Sequence, residues 1–277
     1  MINFPIILPN FDPVLVSLGF LQIRYYSLAY IFGILFVIFF LKKYAKLDGL
    51  MTDKNIDDWL LYAVLGIVLG GRLGYVLFYN FSYFLSHPIE ILAVWQGGMS
   101  FHGGFLGSIV AMGLFCKKNN IDFLKLSDLL AISSPIGLFF GRVANFINME
   151  LHGRVTGSNF GVIFPNIDNL PRHPSQLYEA FLEGLLIFII LLFLKKHSSI
   201  TKIKGSLSTL FVIFYGFARL FCEYFREPDT HIGFLFNNNI TMGQALSVPV
   251  ILIGFILLLY FIKVYKNSNQ ISFKKNL

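Results

Sequence analysis

The sequence predicts an all-α integral membrane protein of seven transmembrane helices with a small extracytoplasmic head, and three observations carry that prediction. Of the 277 residues 56% are hydrophobic and only 13% charged, with a mean hydropathy of +0.68, against roughly 25% charged in an ordinary soluble domain. Several apolar runs approach the ~20 residues that a helix needs to cross hydrocarbon, and they lack the period-two alternation of barrel strands. The lysines, finally, sit in the connections between those runs, where positive charge fixes topology.

Taken in order, residues 1–24 carry Pro5, Pro9 and Pro13 among apolar residues and read as an interfacial segment on the bilayer. The spans follow at about 25–41, 60–79, 103–116, 126–146, 177–194, 207–225 and 242–262. The third is short and rich in glycine, which suits a tilted or partly buried helix. Of the connections only 147–176 is long, and its glycines, prolines and asparagines predict an irregular extracytoplasmic cap. Residues from about 266 to 277 are polar and basic, and a frayed cytoplasmic tail is expected there. No internal repeat or domain boundary divides the chain, so 1–277 reads as one polytopic membrane domain. The first residues lack a basic region followed by a small-residue cleavage site, so no removable signal peptide is expected.

The charges test this count. Every lysine follows an odd-numbered span: Lys42, Lys43, Lys46 and Lys54; Lys117, Lys118 and Lys125; Lys195, Lys196, Lys202 and Lys204; Lys263, Lys266, Lys274 and Lys275. That side is cytoplasmic by the positive-inside rule, which puts the N-terminus outside and the C-terminus inside. The net charge of +7 and pI of about 9.3 are therefore topology signals, and no nucleic-acid partner is expected. Arg24, Arg154, Arg172 and Arg226 lie near the opposite face, while Arg72, Arg142 and Arg219 fall inside predicted spans. Cys116 and Cys222 lie at or within apolar runs and read as packing residues, with no disulfide or metal spacing.

Polar residues at membrane depth are costly and mark a protein interior or a wet cavity. Residues 141–153 carry Arg142, Asn145, Asn148, Glu150 and His152 out of an apolar run. On one helix Arg142, Asn145 and Met149 would share a stripe and show a cation and an amide to one cavity, a pairing that suits a phosphate. Tyr215, Arg219 and Glu223 recur every four residues down the sixth span; Arg219 and Glu223 can neutralise each other or meet a substrate, and both readings stay open. His102 sits between glycine pairs in Gly97-Gly98-Met99-Ser100-Phe101-His102-Gly103-Gly104, where backbone can approach a ligand, and its ordinary pKa near 6.5 suits a proton acceptor. The partner of Arg72 is not legible. Tyr26 and Tyr75 read as interfacial aromatics, and Ser175 reads as a helix cap, because neither a nucleophile elbow nor a triad surrounds it. His87, His197 and His231 stand alone, and no metal is expected. Charge logic thus leaves two classes, an enzyme acting on an anionic phospholipid or a transporter or lipid-gated channel for an anion. The absence of a repeat or of paired broken helices weighs against the second. A seven-span receptor is weaker still.

The pattern Gly141-Arg142-x-Ala144-Asn145-Phe146-Ile147-Asn148-x-Glu150-x-x-Gly153 resembles the signature of the bacterial prolipoprotein diacylglyceryl transferases. The likeness extends to Phe11-Asp12-Pro13, Tyr25-Tyr26, Gly70-Gly71-Arg72-Leu73-Gly74-Tyr75, the 97–104 block, Arg172-His173-Pro174-Ser175-Gln176-Leu177-Tyr178-Glu179, and Tyr215-Gly216-x-x-Arg219-x-x-x-Glu223-x-Phe225-Arg226. The resemblance implies an inner-membrane enzyme without a cofactor. Such an enzyme moves the diacylglyceryl group of phosphatidylglycerol onto the lipobox cysteine of a prolipoprotein signal peptide, forming a thioether and releasing glycerol 1-phosphate. In that setting His102, Arg142 and Arg219 are the expected catalytic residues: Arg142 on the lipid phosphate, Arg219 on the leaving phosphate, His102 on the thiol proton. Asn145 and Glu150 would orient Arg142 and the cap, Gly153 would permit a turn, Tyr26 would line the lipid pocket, and Tyr215 and Glu223 would belong to the substrate site.

Overall fold

A computed structural model describes residues 6–19, 21–158, 160–228, 233–235 and 240–275. The chain starts in short strands, β1 (Ile6–Ile7), β2 (Val14–Leu18) and β3 (Leu21–Arg24). It continues through α1 (Tyr25–Leu47), α2 (Asp53–Phe78), the short α3 (Phe81–Ser86), α4 (Phe101–Asn119) and α5 (Phe123–Ile147). Strands β4 (Val162–Ile163) and β5 (Pro171–Arg172) precede α6 (Ser175–His197), α7 (Ser206–Cys222), the β6 (Phe234–Leu235) and β7 (Ile240–Thr241) pair and α8 (Met242–Lys275).

Each of the seven predicted runs carries a helix. Of these, α1, α2, α5, α6 and α8 are long and apolar enough to cross a membrane by length and composition. The 17 residues of α7 rise only about 26 Å, and the glycines of α4 leave it less apolar. Side-chain caps fix where two of these helices begin. α2 begins at Asp53 because Thr52 and Asn55 form a reciprocal capping box, satisfying donors that would otherwise be orphaned at the helix start. α8 begins behind a similar pair, with Gln244 N donating to Thr241 Oγ1 at 3.1 Å and Thr241 N donating to Gln244 Oε1 at 3.0 Å.

Two expectations are corrected, and one segment gains structure. Within residues 1–24, read as an interfacial segment, the chain forms short strands that were not expected from the sequence. β1 pairs in parallel with β4, while β2 and β3 form an antiparallel hairpin whose turn is opened by Gly19 at φ 66°, a backbone region that glycine enters without steric cost. α5 stops at Ile147, so Met149, at φ 59°, leaves the stripe drawn through Arg142 and Asn145. It packs instead with Leu8, Val162 and Phe164 in the core of the cap. The segment after 266 is helical through Lys275 rather than frayed. Residues 1–5, 20, 276–277 and His231 lie outside the described residues.

The fold divides into two compact units, residues 1–39 with 127–277 and residues 40–126. In the second unit, α2 and α4 meet through glycines spaced by four. A Cβ at Gly66 would lie 2.7 Å from the Gly107 carbonyl oxygen, one at Gly74 2.8 Å from Gly103 Cα, and one at Gly70 2.7 Å from Gly107 Cα. Small residues at this spacing let backbones touch where no hydrophobic effect separates helix from lipid. In the first unit, Asp128 of α5 accepts from Gly205 N and Ser208 N, each at 2.8 Å, and so caps the start of α7 from a neighbouring helix. Gly107→Leu is expected to push α2 and α4 apart, at a cost of about 1–3 kcal/mol or more for an overpacked contact. Thermal unfolding in detergent checks this, because Gly113→Leu on α4, where a Cβ meets nothing within 4 Å, is expected to leave the midpoint nearly unchanged.

Candidate functional site: a buried ring of arginines and carboxylates

The first unit contains a closed set of charges between α5, α6 and α7. Arg142 of α5 places its Nε 2.9 Å from Glu179 Oε2, and its Nη2 donates to Glu183 Oε2 at 3.2 Å. Arg219 of α7 donates from Nη1 to Glu179 Oε1 at 2.9 Å and lies 3.6 Å from Glu183 Oε1. Each carboxylate thus spans both guanidinium groups, and both carboxylates are fully buried (0% exposed). Glu179 and Glu183 share one face of α6 because they are four residues apart. The helix is π-wound over Ala180–Leu186, a local widening frequent at functional sites. Gly184 sets the approach of the opposing helix, since a Cβ there would lie 2.7 Å from Phe139 Cβ of α5. Any larger residue would move the Arg142 fork off its carboxylates. Tyr215, one turn before Arg219, faces all four charges.

The ring continues outward through Glu223, the residue that ends α7. Its Oε1 meets Arg219 Nη2 and lies 3.4 Å from Arg226 Nη1, while its Oε2 accepts from Thr241 Oγ1 at 2.6 Å. A side chain at Gly243 would collide with that carboxylate. The stripe of Tyr215, Arg219 and Glu223 is therefore real, and Arg219 does pair with Glu223, but it pairs with α6 as well. Beyond it, Arg154 ties the cap to the end of α7: its Nε donates to the Arg226 carbonyl at 2.9 Å and its Nη2 to the Glu223 carbonyl at 3.1 Å. Arg172 grips Asp168 at 2.6 Å, which holds that carboxyl below its usual range. This contribution to the cap is present at neutral pH and is lost as pH falls through the lowered value. Burial pushes the His152 pKa down, keeping its ring neutral at neutral pH.

The turn after α5 departs from its expected role. Asn145 Nδ2 donates to Glu150 Oε2 at 3.0 Å, and among the described residues neither side chain meets Arg142. They fix the turn at which the chain enters the cap, and the Glu150 carbonyl accepts from the buried Gln176 at 2.6 Å. Gly153 is not a positive-φ turn glycine. It bridges to Arg226, and a Cβ there would run into the His173 carbonyl oxygen and lie 2.7 Å from that of Phe225; close approach is its function. Ser175 is not a cap either, since its Oγ donates to the Leu151 carbonyl at 3.1 Å.

Tyr26 stands in the first turn of α1, 38% exposed, with its ring edge-on to Tyr30 at 5.2 Å. His102 and Arg72 belong to the second unit. His102 is exposed in the first turn of α4, behind the Ser100 cap. Arg72 has no acidic partner among the described residues: it donates to the carbonyls of Glu90 (2.6 Å), Gly97 (2.7 Å), Ile91 (2.8 Å) and Gly98 (3.2 Å). It also lies 5.0 Å from the Phe84 ring. Arg72 is thus a clamp on the segment between α3 and α4. Beside the charged ring, Leu182, Leu186, Ile187 and Ile190 of α6 and Phe214, Phe217, Ala218 and Phe221 of α7 line an apolar groove of about 370 Å³. Sequence reasoning assigned no role to Glu179 or Glu183. The signal was available, because two glutamates four residues apart inside an apolar run demand buried cationic partners.

A family model described as prolipoprotein diacylglyceryl transferase matches residues 13–260. Among curated relatives, a phosphatidylglycerol–prolipoprotein diacylglyceryl transferase of Rickettsia conorii is 54% identical over 248 residues, covering 89% of this chain and 95% of the relative. The enzyme of the same name from Rickettsia bellii is 51% identical over 252 residues, covering 91% and 95%. These likenesses do not favour the transporter or channel alternative. Gly153→Ala is expected to destabilise the cap by about 1–3 kcal/mol, the usual cost of a forced contact, because the new methyl meets backbone that cannot swing away. Gly157→Ala, with nothing within 4 Å, is the matched control, and equal thermal midpoints for the two variants would refute the close-approach role.

Proposed function

Because the chain belongs to the prolipoprotein diacylglyceryl transferase family, we propose that it transfers the diacylglyceryl group of phosphatidylglycerol to the thiol of a prolipoprotein lipobox cysteine. The sulfur forms a bond to the glyceryl carbon, the bond from that carbon to the phosphate oxygen breaks, and glycerol 1-phosphate leaves with the electron pair. The observation that carries this reading is the pair of guanidinium groups on α5 and α7, held a carboxylate's width apart by Glu179. Arg142 Nη1 has no partner among the described residues, which leaves a donor for a phosphate oxygen, and a planar fork suits that geometry. The apolar groove lies on the same two helices, α6 and α7, and suits an acyl chain of the same lipid.

In this reading Arg142 holds the lipid phosphate, and Arg219 neutralises charge that builds on the leaving group. His102 takes the thiol proton, directly or through water, because the thiolate is the competent nucleophile. Tyr26 lines the lipid site. Tyr215 and Glu223 hold Arg219 in place, and Asn145, Glu150 and Gly153 hold the cap over it. The lysine asymmetry supports seven spans in the bacterial inner membrane, N-terminus outside and C-terminus cytoplasmic, with 147–176 as an extracytoplasmic head. The seven runs that carry helices fit that count.

With purified protein, phosphatidylglycerol and a lipobox peptide, the peptide is expected to gain the mass of a diacylglyceryl group; an unchanged mass would overturn the assignment. Arg142→Lys keeps the charge but loses the fork, and a fall in rate of about 10²-fold or more is expected, the scale of losing one aligned donor to developing charge. Wild-type turnover in that variant would remove its assigned role. His102→Ala is expected to retain lipid binding while losing about 10²–10⁴-fold in rate, the usual contribution of a general base. Full activity of that variant across neutral pH would assign the proton to another group.

A further inference from the structure

The ring has no charge to spare. Two guanidinium groups, Arg142 and Arg219, face two fully buried carboxylates, Glu179 and Glu183. Outward of the ring, Glu223 lies between Arg219 and Arg226, and the Arg154 guanidinium donates to the Glu223 and Arg226 carbonyls; the neutral set is the inner four. Among the described residues, Tyr215 and Cys222 of α7 also lie close enough to interact with the carboxylates, and both are neutral in their ordinary forms near pH 7. A phosphodiester carries one negative charge. Entering this ring, it would leave an uncompensated anion in a site shielded from water, where unpaired charge is most costly.

The carboxylates also differ from a saturated ion-pair network. Glu179 Oε2 and Glu183 Oε1 are buried and make no aligned hydrogen bond, although each lies near a guanidinium. These two oxygens belong to neighbouring side chains on one face of α6, and each could carry a proton without giving up the aligned bond made by its other oxygen: Glu179 Oε1 to Arg219 at 2.9 Å and Glu183 Oε2 to Arg142 at 3.2 Å. One proton shared by the pair would offset the incoming charge, relieve the repulsion between the carboxylates, and free guanidinium donors for the phosphate.

We propose that the Glu179–Glu183 pair takes up one proton from water when an anionic lipid headgroup binds Arg142 and Arg219, so that ring and guest together remain neutral. The two glutamates are positioning residues: they hold the arginine forks in the empty site and yield charge to the phosphate in the filled one. The proposal rests on the reading of Arg142 and Arg219 as the phosphate site. It concerns the binding step and is separate from the thiol proton assigned to His102.

Proton uptake can be read with an indicator dye in weakly buffered detergent solution as phosphatidylglycerol is added, with bound lipid counted by native mass spectrometry. About one proton per bound lipid is expected near neutral pH, with none on adding zwitterionic phosphatidylcholine. Linkage then requires the dissociation constant for phosphatidylglycerol to rise by up to about tenfold per pH unit. In Glu183→Gln, whose amide already removes the charge, uptake is expected to vanish and affinity to become flat with pH and tighter than wild type at high pH, which lost packing alone would not produce. His102→Ala is expected to keep the uptake. Should the glutamine variant fail to fold, the wild-type measurement decides alone. Bound phosphatidylglycerol with no proton taken up and no pH dependence would overturn the proposal while leaving the transferase reading in place. Lipid binding unaltered by Arg142→Lys would remove both the proposal and the reading of Arg142 as the phosphate site.

Discussion

A guanidinium group between apolar helices needs anions or carbonyls to accept from it, and in the first unit the anions of α6 meet that need for Arg142 and Arg219. Arg142 and Arg219 come from helices far apart in sequence, and Glu179 and Glu183 of α6 reach both. Removing one partner of such a buried pair typically costs about 3–5 kcal/mol, whereas replacing the whole set with apolar residues is often neutral or stabilising. Stability alone therefore does not explain the ring. The proposed phosphate site would explain it, because arginine forks held ready need no reorganisation when charge arrives.

The surrounding features follow from that requirement. α5 must come close enough to α6 for one guanidinium to span two carboxylates, and Gly184 provides the space against Phe139. The end of α7 must be fixed, and it is held from both sides, by Asp128 at its start and by Arg154 on the carbonyls beyond its last turn. Thr241 and Gly243, at the start of α8, close around Glu223. The cap is thus joined to the charged ring through backbone bonds at Gly153, Arg154 and Arg226, so that a perturbation in one is felt in the other.

Much of this was legible in the sequence. The apolar runs located every long helix, because hydrocarbon leaves a spanning segment few alternatives. Arg142, Arg219 and Glu223 were identified by the cost of burying charge. The acidic half of the ring was legible too: two glutamates four residues apart inside a span require buried cations, and charge balance points to Arg142 and Arg219. The hairpin of residues 14–24 is hard to read because its first strand, Val14–Leu18, follows three prolines and holds only two β-branched residues before Gly19. The role of Gly153 could not be read from spacing, since nothing along the chain announces that His173 and Phe225 will press their carbonyls against it. Arg72 was opaque for a similar reason: its partners are backbone carbonyls, which every residue possesses.

The central claim, that the ring receives a lipid phosphate, is tested most directly by an experimental structure of the protein in a lipid nanodisc containing phosphatidylglycerol. The account requires the phosphorus within about 4–5 Å of guanidinium nitrogens of both Arg142 and Arg219, the distance set by a charge-assisted hydrogen bond to a phosphate oxygen, with Glu179 and Glu183 still flanking them. A phosphate seated instead on Arg154 or Arg172 of the cap, with the ring closed and unchanged, would contradict it.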